Sequence, residues 1–284
     1  VSIEPGQLYV VGTPIGNLAD ITQRATEVLR EVDLIAAEDT RRSRRLLQHL
    51  GIRNTLMSVH EHNENSRVPE LLHKLGLGRS IALITDAGTP LISDPGYRLV
   101  RGARQAGYRV VPIPGPCSVT AALCAAGLPT DRFVFEGFLP ARAGGRRRYL
   151  EVLAANSATM VFFESGMRLQ AALRDMAEVF GADREAVVAK EITKLHEHFE
   201  HGSLCQLRCW VDQDPQIRRG EFVLVVAGHD ERTVAEDDSR ALAILALLLE
   251  EMPASRAAAL AARITGGRKR DLYLAALRLT SDDE

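Results

Sequence analysis

With 284 residues, 46% of them hydrophobic and 25% charged, the chain has the composition of a globular protein and room for two domains and a small appendage. A formal net charge of −2 excludes a polycation, so any nucleic-acid contact has to come from local basic patches. No apolar run approaches the roughly 20 residues that span a bilayer, and the amino end lacks a basic-then-apolar leader pattern, so a cytoplasmic protein without membrane contact is expected.

Gln7-Leu8-Tyr9-Val10-Val11 predicts a first strand running into Gly12-Thr13-Pro14-Ile15-Gly16-Asn17. Asp20 is expected to cap a helix, with Gln23 completing a capping box and Ile21, Ala25, Val28, Leu29 and Val32 as the buried stripe. Strand, glycine loop and helix suggest a nucleotide fold, and Glu38 or Asp39 follows the next strand where a dinucleotide enzyme uses an acid on the ribose. The loop is G-x-x-x-G, however, and Pro14 removes an amide that would grip a phosphate, which counts against a dehydrogenase. Thr40 is expected to cap a helix with Arg41, Arg42, Arg44 and Arg45 on one side and Leu46, Leu47 and Leu50 on the other. Its basic face is either solvated or an RNA contact.

Thr55–His60 predicts a third strand, Pro69–Leu75 a helix, and Ser80–Ile84 a short buried strand. The loop after it, Thr85-Asp86-Ala87-Gly88-Thr89-Pro90-Leu91-Ile92-Ser93-Asp94-Pro95-Gly96, lies at the carboxyl end of a strand, where open α/β sheets hold ligands. Gly88 would let another molecule approach the backbone, and Asp94 followed by Pro95 predicts a helix start. A tight turn without a ligand is the alternative. Arg109–Ile113 predicts a fifth strand, followed by Pro114-Gly115-Pro116-Cys117-Ser118 and a helix of small residues. The first domain is expected to cover residues 1–115.

A second α/β domain is expected over 116–232, with strands at Phe133–Phe138, Thr159–Phe163, Ala186–Ala189 and Glu221–Val226. Arg146, Arg147 and Arg148 are expected to open one helix, and Met167–Phe180 forms another. The alternation through His196–His201 reads as a strand with one wet face, and Cys117, Cys124, Cys205 and Cys209 form no C-x-x-C pair, so no metal site is expected. After the acidic stretch Asp230–Asp238, residues 233–284 turn purely helical. Two helices around Thr265-Gly266-Gly267-Arg268-Lys269-Arg270 resemble a helix-turn-helix, with a capping or dimerising bundle as the alternative.

The ordered set Val11–Leu18, Ala37–Arg41, Thr85–Gly96, Pro114–Pro116 and Glu191–Glu197 resembles the tetrapyrrole methylase superfamily of S-adenosylmethionine enzymes. The resemblance covers nearly the whole chain and is strongest to the branch that acts on ribosomal RNA. It implies two α/β domains with the cofactor in the cleft between them, a homodimer, and 2′-O-methyl transfer to a cytidine in the decoding centre of 16S rRNA in the 30S subunit. By position, Pro14 matches the proline of the first glycine loop. Asp86, Ala87, Gly88, Thr89 and Ile92 match the loop lining the methionine part of S-adenosylmethionine. Cys117 and Ser118 follow the Pro-Gly turn, Phe163 and Glu164 end the strand near the adenosine, and Ile192 and Ala227 would complete the pocket. Macrocycle-methylating members tend to have Gly-Gly-Asp-Pro where this chain has Ala87-Gly88-Thr89-Pro90. A tetrapyrrole methyltransferase and a non-catalytic RNA-binding assembly factor are the alternatives.

A sulfonium methyl is already electrophilic, so in-line placement supplies much of the acceleration. A ribose hydroxyl also needs a proton acceptor. Glu191 is the first candidate, with Lys194 or His196 polarising or relaying, unless these residues form a structural ion pair. Arg41, Arg146, Arg147, Arg148, Arg268, Lys269 and Arg270 are the expected rRNA phosphate contacts.

Overall fold

A computed structural model describes residues 3–213, 215–229, 241–249, 251–265 and 269–281. Five short apolar strands form an all-parallel sheet: β1 (Leu8–Val11), β2 (Leu34–Ala37), β3 (Leu56–Ser58), β4 (Ile81–Ile84) and β5 (Val110–Ile113), in the order β3-β2-β4-β1-β5. Parallel neighbours need crossovers, supplied here by α1 (Gln23–Glu31), α2 (Thr40–His49), α3 (Glu64–Gly76) and α4 (Tyr97–Gln105). The period-two alternation of the strands divides the core between two faces. Tyr9, Val11, Ile35, Ala37 and Ile84 pack with Val28, Leu29 and Leu47. Leu8, Leu34, Ala36, Ile81 and Leu83 pack with Leu71, Leu75 and Leu99. Covering both faces in this way places the strand-end loops of β1, β4 and β5 side by side at one edge.

The second sheet is mixed. It comprises β6 (Phe133–Phe138), β7 (Thr159–Ser165), β8 (Glu185–Lys190), β9 (His198–Ser203) and β10 (Glu221–Val226), ordered β6-β7-β10-β8-β9, with only β6 and β7 parallel. One face is covered by α5 (Ser118–Ala126), whose Ala122 and Ala126 allow close approach to Val187, Val223 and Val225. The other is covered by α6 (Ala143–Leu153), α7 (Gly166–Phe180) and α8 (Leu204–Gln213), packed around the fully buried Phe162. Truncating such an aromatic to alanine costs about 3–5 kcal/mol. The two sheets belong to one compact unit.

The other unit consists mainly of the C-terminal helices. They are α9 (241–249), α10 (Ala254–Thr265) and α11 (Lys269–Ser281), built around Leu245, Ala257, Ala258, Ala261, Leu272 and Ala276. The acidic stretch Asp230–Asp238 and the Gly266-Gly267-Arg268 turn lie outside the described residues. No described helix is long and apolar enough to cross a membrane.

Several local expectations are corrected. Thr22, not Asp20, caps α1, its side chain accepting from the Ala25 amide at 3.1 Å, because residues 18–20 are used in a separate 3-10 turn. Asp39, not Thr40, caps α2, accepting from the Arg41 amide at 2.8 Å. The helix after β4 begins at Tyr97 behind Gly96, which has φ +118°, so Asp94 and Pro95 stay in the loop. α3 starts at Glu64 and carries Pro69 inside it, and α6 starts at Ala143, ahead of its three arginines. α8 follows β9 where no helix is expected from the sequence.

Candidate active site

The strand-end loops of the parallel sheet hold one another by backbone contact. Gly12 and Gly115 meet so closely that a Cβ on Gly12 would lie 2.8 Å from the Gly115 Cα. Gly88 has φ +88°, and its amide and carbonyl pair with the Thr13 carbonyl and amide at 3.1 and 2.9 Å. The first loop of the same chain thus meets the Gly88 backbone on one side, while Gly88 also lines a polar recess. The Thr89 hydroxyl donates to the Pro116 carbonyl at 3.2 Å and ties the third loop to the second.

These loops form one wall of a cavity of about 290 Å³ within the two-sheet unit. Ile15, Ala87 and Ser118 come from the first sheet's loops and α5, and Phe138, Phe163, Glu164, Ile192 and Val223 are among those from the second sheet. A smaller polar recess of about 100 Å³ adjoins it through Ala87, Ser118, Phe138 and Phe163, and is lined also by Gly88, Thr89, Ile92, Ser93, Asp94 and Cys117. Ala87, Gly88, Thr89, Ile92, Cys117, Ser118, Phe163, Glu164 and Ile192 are thus brought together around one continuous space. Three expected neighbours do not line it. Pro14 is buried, and Ile15 lines the cavity in its place. The Asp86 carboxylate accepts from the Asp39 amide at 3.0 Å and pairs with Arg42 at 3.0 Å. Ala227 follows the far end of β10: antiparallel pairing sets Glu221 against Ser165 at the cavity end and Val226 against Met160 at the other.

Glu164 is buried, and its Oε1 accepts from the Ser165 amide at 2.8 Å, while Oε2 has no hydrogen-bond partner. Burial pushes its carboxyl above the ordinary range, partly opposed by the Ser165 amide and Arg168. A buried acceptor left unpaired is expensive, so an oxygen of this kind on a cavity wall suits a ligand donor.

The turn after β8 supplies Glu191 and Lys194. Lys194 Nζ bridges Glu191 Oε1 at 2.9 Å and Glu221 Oε2 at 2.7 Å, and the Glu221 amide also donates to Glu191 Oε1 at 2.9 Å. Burial alone would raise Glu191, but the Glu221 amide and the Lys194 ammonium outweigh it and hold the carboxyl below its usual range. Burial would likewise lower Lys194, and the two carboxylates more than offset this, so it stays an ammonium. His196 is exposed and does not line the cavity.

Asp94 behaves in the opposite way. Burial, with smaller contributions from the neighbouring Glu38 and Asp86 charges, pushes it up to about 6 despite help from the Thr85 hydroxyl. It stands within the Leu91–Gly96 bend, where Leu91 and Ser93 have φ of +74° and +63°. Together with Glu191 and Thr193, these are the only non-glycine residues at positive φ among those described. All four fall in the two loops around the cavity, and strain of this kind concentrates at functional sites. Sequence reading missed Asp94 because its Asp-Pro step signals a helix cap, and missed Phe138 and Val223 because nothing local marks a strand residue as cavity wall.

The arginines separate sharply. Arg146 is buried and binds Asp175 through Nη2 at 2.6 Å and Nε at 2.8 Å, so it is a core ion pair and not a phosphate contact. Arg147 is half-buried and divides its guanidinium between Asp175 and Glu178. Arg148, Lys269 and Arg270 are exposed, as is Arg41, which folds back onto Asp39 at 2.9 Å. Arg268 lies outside the described residues.

Residues 7–208 match the family described as Tetrapyrrole (Corrin/Porphyrin) Methylases, and residues 235–280 match the RsmI C-terminal HTH domain. The chain is 54% identical to ribosomal RNA small subunit methyltransferase I of Escherichia coli O157:H7, over 96% of this chain and 95% of that protein. It is 53% identical to the protein of the same name from Pseudomonas aeruginosa, over 96% and 97%. Among solved structures it resembles a uroporphyrin-III-C-methyltransferase from Thermus thermophilus, with TM-score 0.56, 19% identity, and 78% of this chain and 94% of that one covered. A cobalt precorrin-4 methyltransferase gives TM-score 0.59 at 18% identity, covering 78% and 95%. At such identities the likeness shows the fold alone.

Proposed function

The chain belongs to the tetrapyrrole methylase family and, within it, to that of the ribosomal RNA small subunit methyltransferase I proteins, and on that premise we propose that it methylates the ribose 2′-oxygen of a cytidine in the decoding centre of 16S rRNA. The methyl donor is S-adenosylmethionine. The proposal places the reaction in the cytoplasm, on the 30S subunit, with the enzyme as a homodimer. Residues 1–115 and 116–232 then hold the donor between them, and 233–284 serves the RNA.

The observation that carries this reading is the cavity shared by the two sheets. Its size, together with the recess, suits a small molecule with a flat aromatic part and a polar tail. Phe138, Phe163, Ile192 and Val223 offer apolar walls to the adenine, and the unpaired Glu164 oxygen offers an acceptor to the adenosine's donors. Ala87, Gly88, Thr89 and Ser118 line the part assigned to the methionine tail. When bound, the donor supplies an electrophilic methyl group. Glu191 fixes the Lys194 ammonium at the cavity wall, where it orients the incoming RNA; its lowered carboxyl makes it a weak base. Nothing in the geometry supports a relay role for His196. Arg41, Arg148, Lys269 and Arg270 are the exposed cations offered to rRNA phosphates.

The test is incubation of purified 30S subunits with labelled S-adenosylmethionine, followed by nucleoside mapping. Label on a 2′-O-methylcytidine is expected. Label on a base, or transfer only to a macrocycle, would overturn the proposal.

A further inference from the structure

The mechanism needs a proton acceptor, and Glu191 is poorly suited to it. Asp94 lies in the other loop, lining the polar recess that opens from the main cavity through Ala87 and Ser118. No described cation pairs with it. Arg42 is committed to the neighbouring Asp86 at 3.0 Å. The titratable groups around Asp94 are Glu38 at the end of β2, Asp86 in its own loop, and Cys117 across the recess. The buried Thr85 hydroxyl, which has no partner at hydrogen-bond distance, lies toward it. Positive φ at Leu91, Ser93 and Gly96 fixes the bend that presents the carboxylate to the recess instead of to a helix amide.

Resting on the methyltransferase reading above, we propose that Asp94 is the catalytic base that takes the proton from the attacking ribose hydroxyl. The hydroxyl oxygen bonds to the methyl carbon as the carbon–sulfur bond breaks and its electron pair returns to sulfur. The hydroxyl proton passes to an Asp94 oxygen and later to water. With its proton affinity raised to about 6, Asp94 is ionised at neutral pH yet a stronger base than an ordinary aspartate.

The experiment compares the full chain with its Asp94→Asn variant on 30S subunits with labelled S-adenosylmethionine, across pH, with donor affinity measured separately by calorimetry. Turnover is expected to fall about 10²–10⁴-fold in the variant with donor affinity unchanged. The wild-type rate should rise through an acid limb near pH 6, and the residual activity of the variant should lack that limb. Melting is a second readout. A carboxyl whose folded value exceeds its unfolded one destabilises the fold as pH rises past the unfolded value, so the margin by which Asp94→Asn melts above wild type should be larger at about pH 8 than at about pH 5 and vanish below about pH 4. An aspartate held in its ionised form by donors would give the reverse, and that result would overturn the assignment. Should the Asn variant not fold, Asp94→Ser is put through the same assays. Wild-type turnover and acid limb in the variant would overturn the assignment, and so would a loss of donor affinity that accounts for the loss of rate. Absence of transfer by the wild-type enzyme would instead overturn the reading on which it rests.

Discussion

The loop after β4 and the turn after β8 line the same continuous space, one from each sheet, and both carry a carboxylate on a backbone bent through positive φ. Their electrostatics are opposite. Glu191 is pinned by an amide and an ammonium and is held low, whereas Asp94 is pushed up to about 6 by burial and, less, by two neighbouring acids. Two carboxylates with divergent proton affinities divide acid–base labour by environment and not by residue type. One side of the site is built to hold charge still, and the other to accept a proton.

The largest break in that contrast is the Asp94→Asn loss of turnover, about 10²–10⁴-fold. Next comes Arg146→Met, which strands the fully buried Asp175 carboxylate with the half-exposed Arg147 and Arg174 as its remaining cations. Removing one partner of a buried pair costs about 3 kcal/mol or more, so chemical denaturation should show a large loss while the salt dependence of rRNA binding stays unchanged. Glu164→Gln replaces one side of a buried acceptor pair with a donor. Loss of a hydrogen bond to a charged group, about 1.5–3 kcal/mol, should weaken S-adenosylmethionine binding about ten- to hundredfold by calorimetry.

Glu191→Gln should be milder, about 1 kcal/mol of stability at neutral pH. Because its folded value is depressed, that stability is present above its ordinary range and disappears as pH falls through the lowered value. Wild-type and variant melting curves should therefore converge in acid, once Glu191 is protonated in the folded state. Arg41→Ala should leave melting unchanged, since its ion pair with Asp39 is exposed and screened by solvent. It should reduce the slope of log affinity for rRNA against log salt by about 1.

The parallel sheet was legible because buried strands read as short continuous apolar runs, as in Leu8–Val11 and Ile81–Ile84. Caps were not, since neighbouring residues such as Asp39 and Thr40 offer equivalent oxygens and only the turn geometry chooses between them. α8 escaped because its apolar positions Leu204, Leu207 and Val211 are interrupted by cysteines and an arginine. The three-arginine run looked uniform, although helical spacing sets Arg146 above the buried Leu150 and turns it inward. Asp94 could not be found locally at all. Its environment comes from burial and from Glu38, which follows another strand, and its own neighbours, Ser93 and Pro95, suggest nothing but a cap.

Ser118 lies where the cavity meets the recess, so a tryptophan there would fill the space both share. Calorimetric titration of the Ser118→Trp variant with S-adenosylmethionine, beside wild type, tests most directly whether the donor sits between the two sheets. Binding by wild type and none by a variant with unchanged far-UV circular dichroism is the result expected. Equal affinity in the two proteins would place the donor elsewhere and contradict the account.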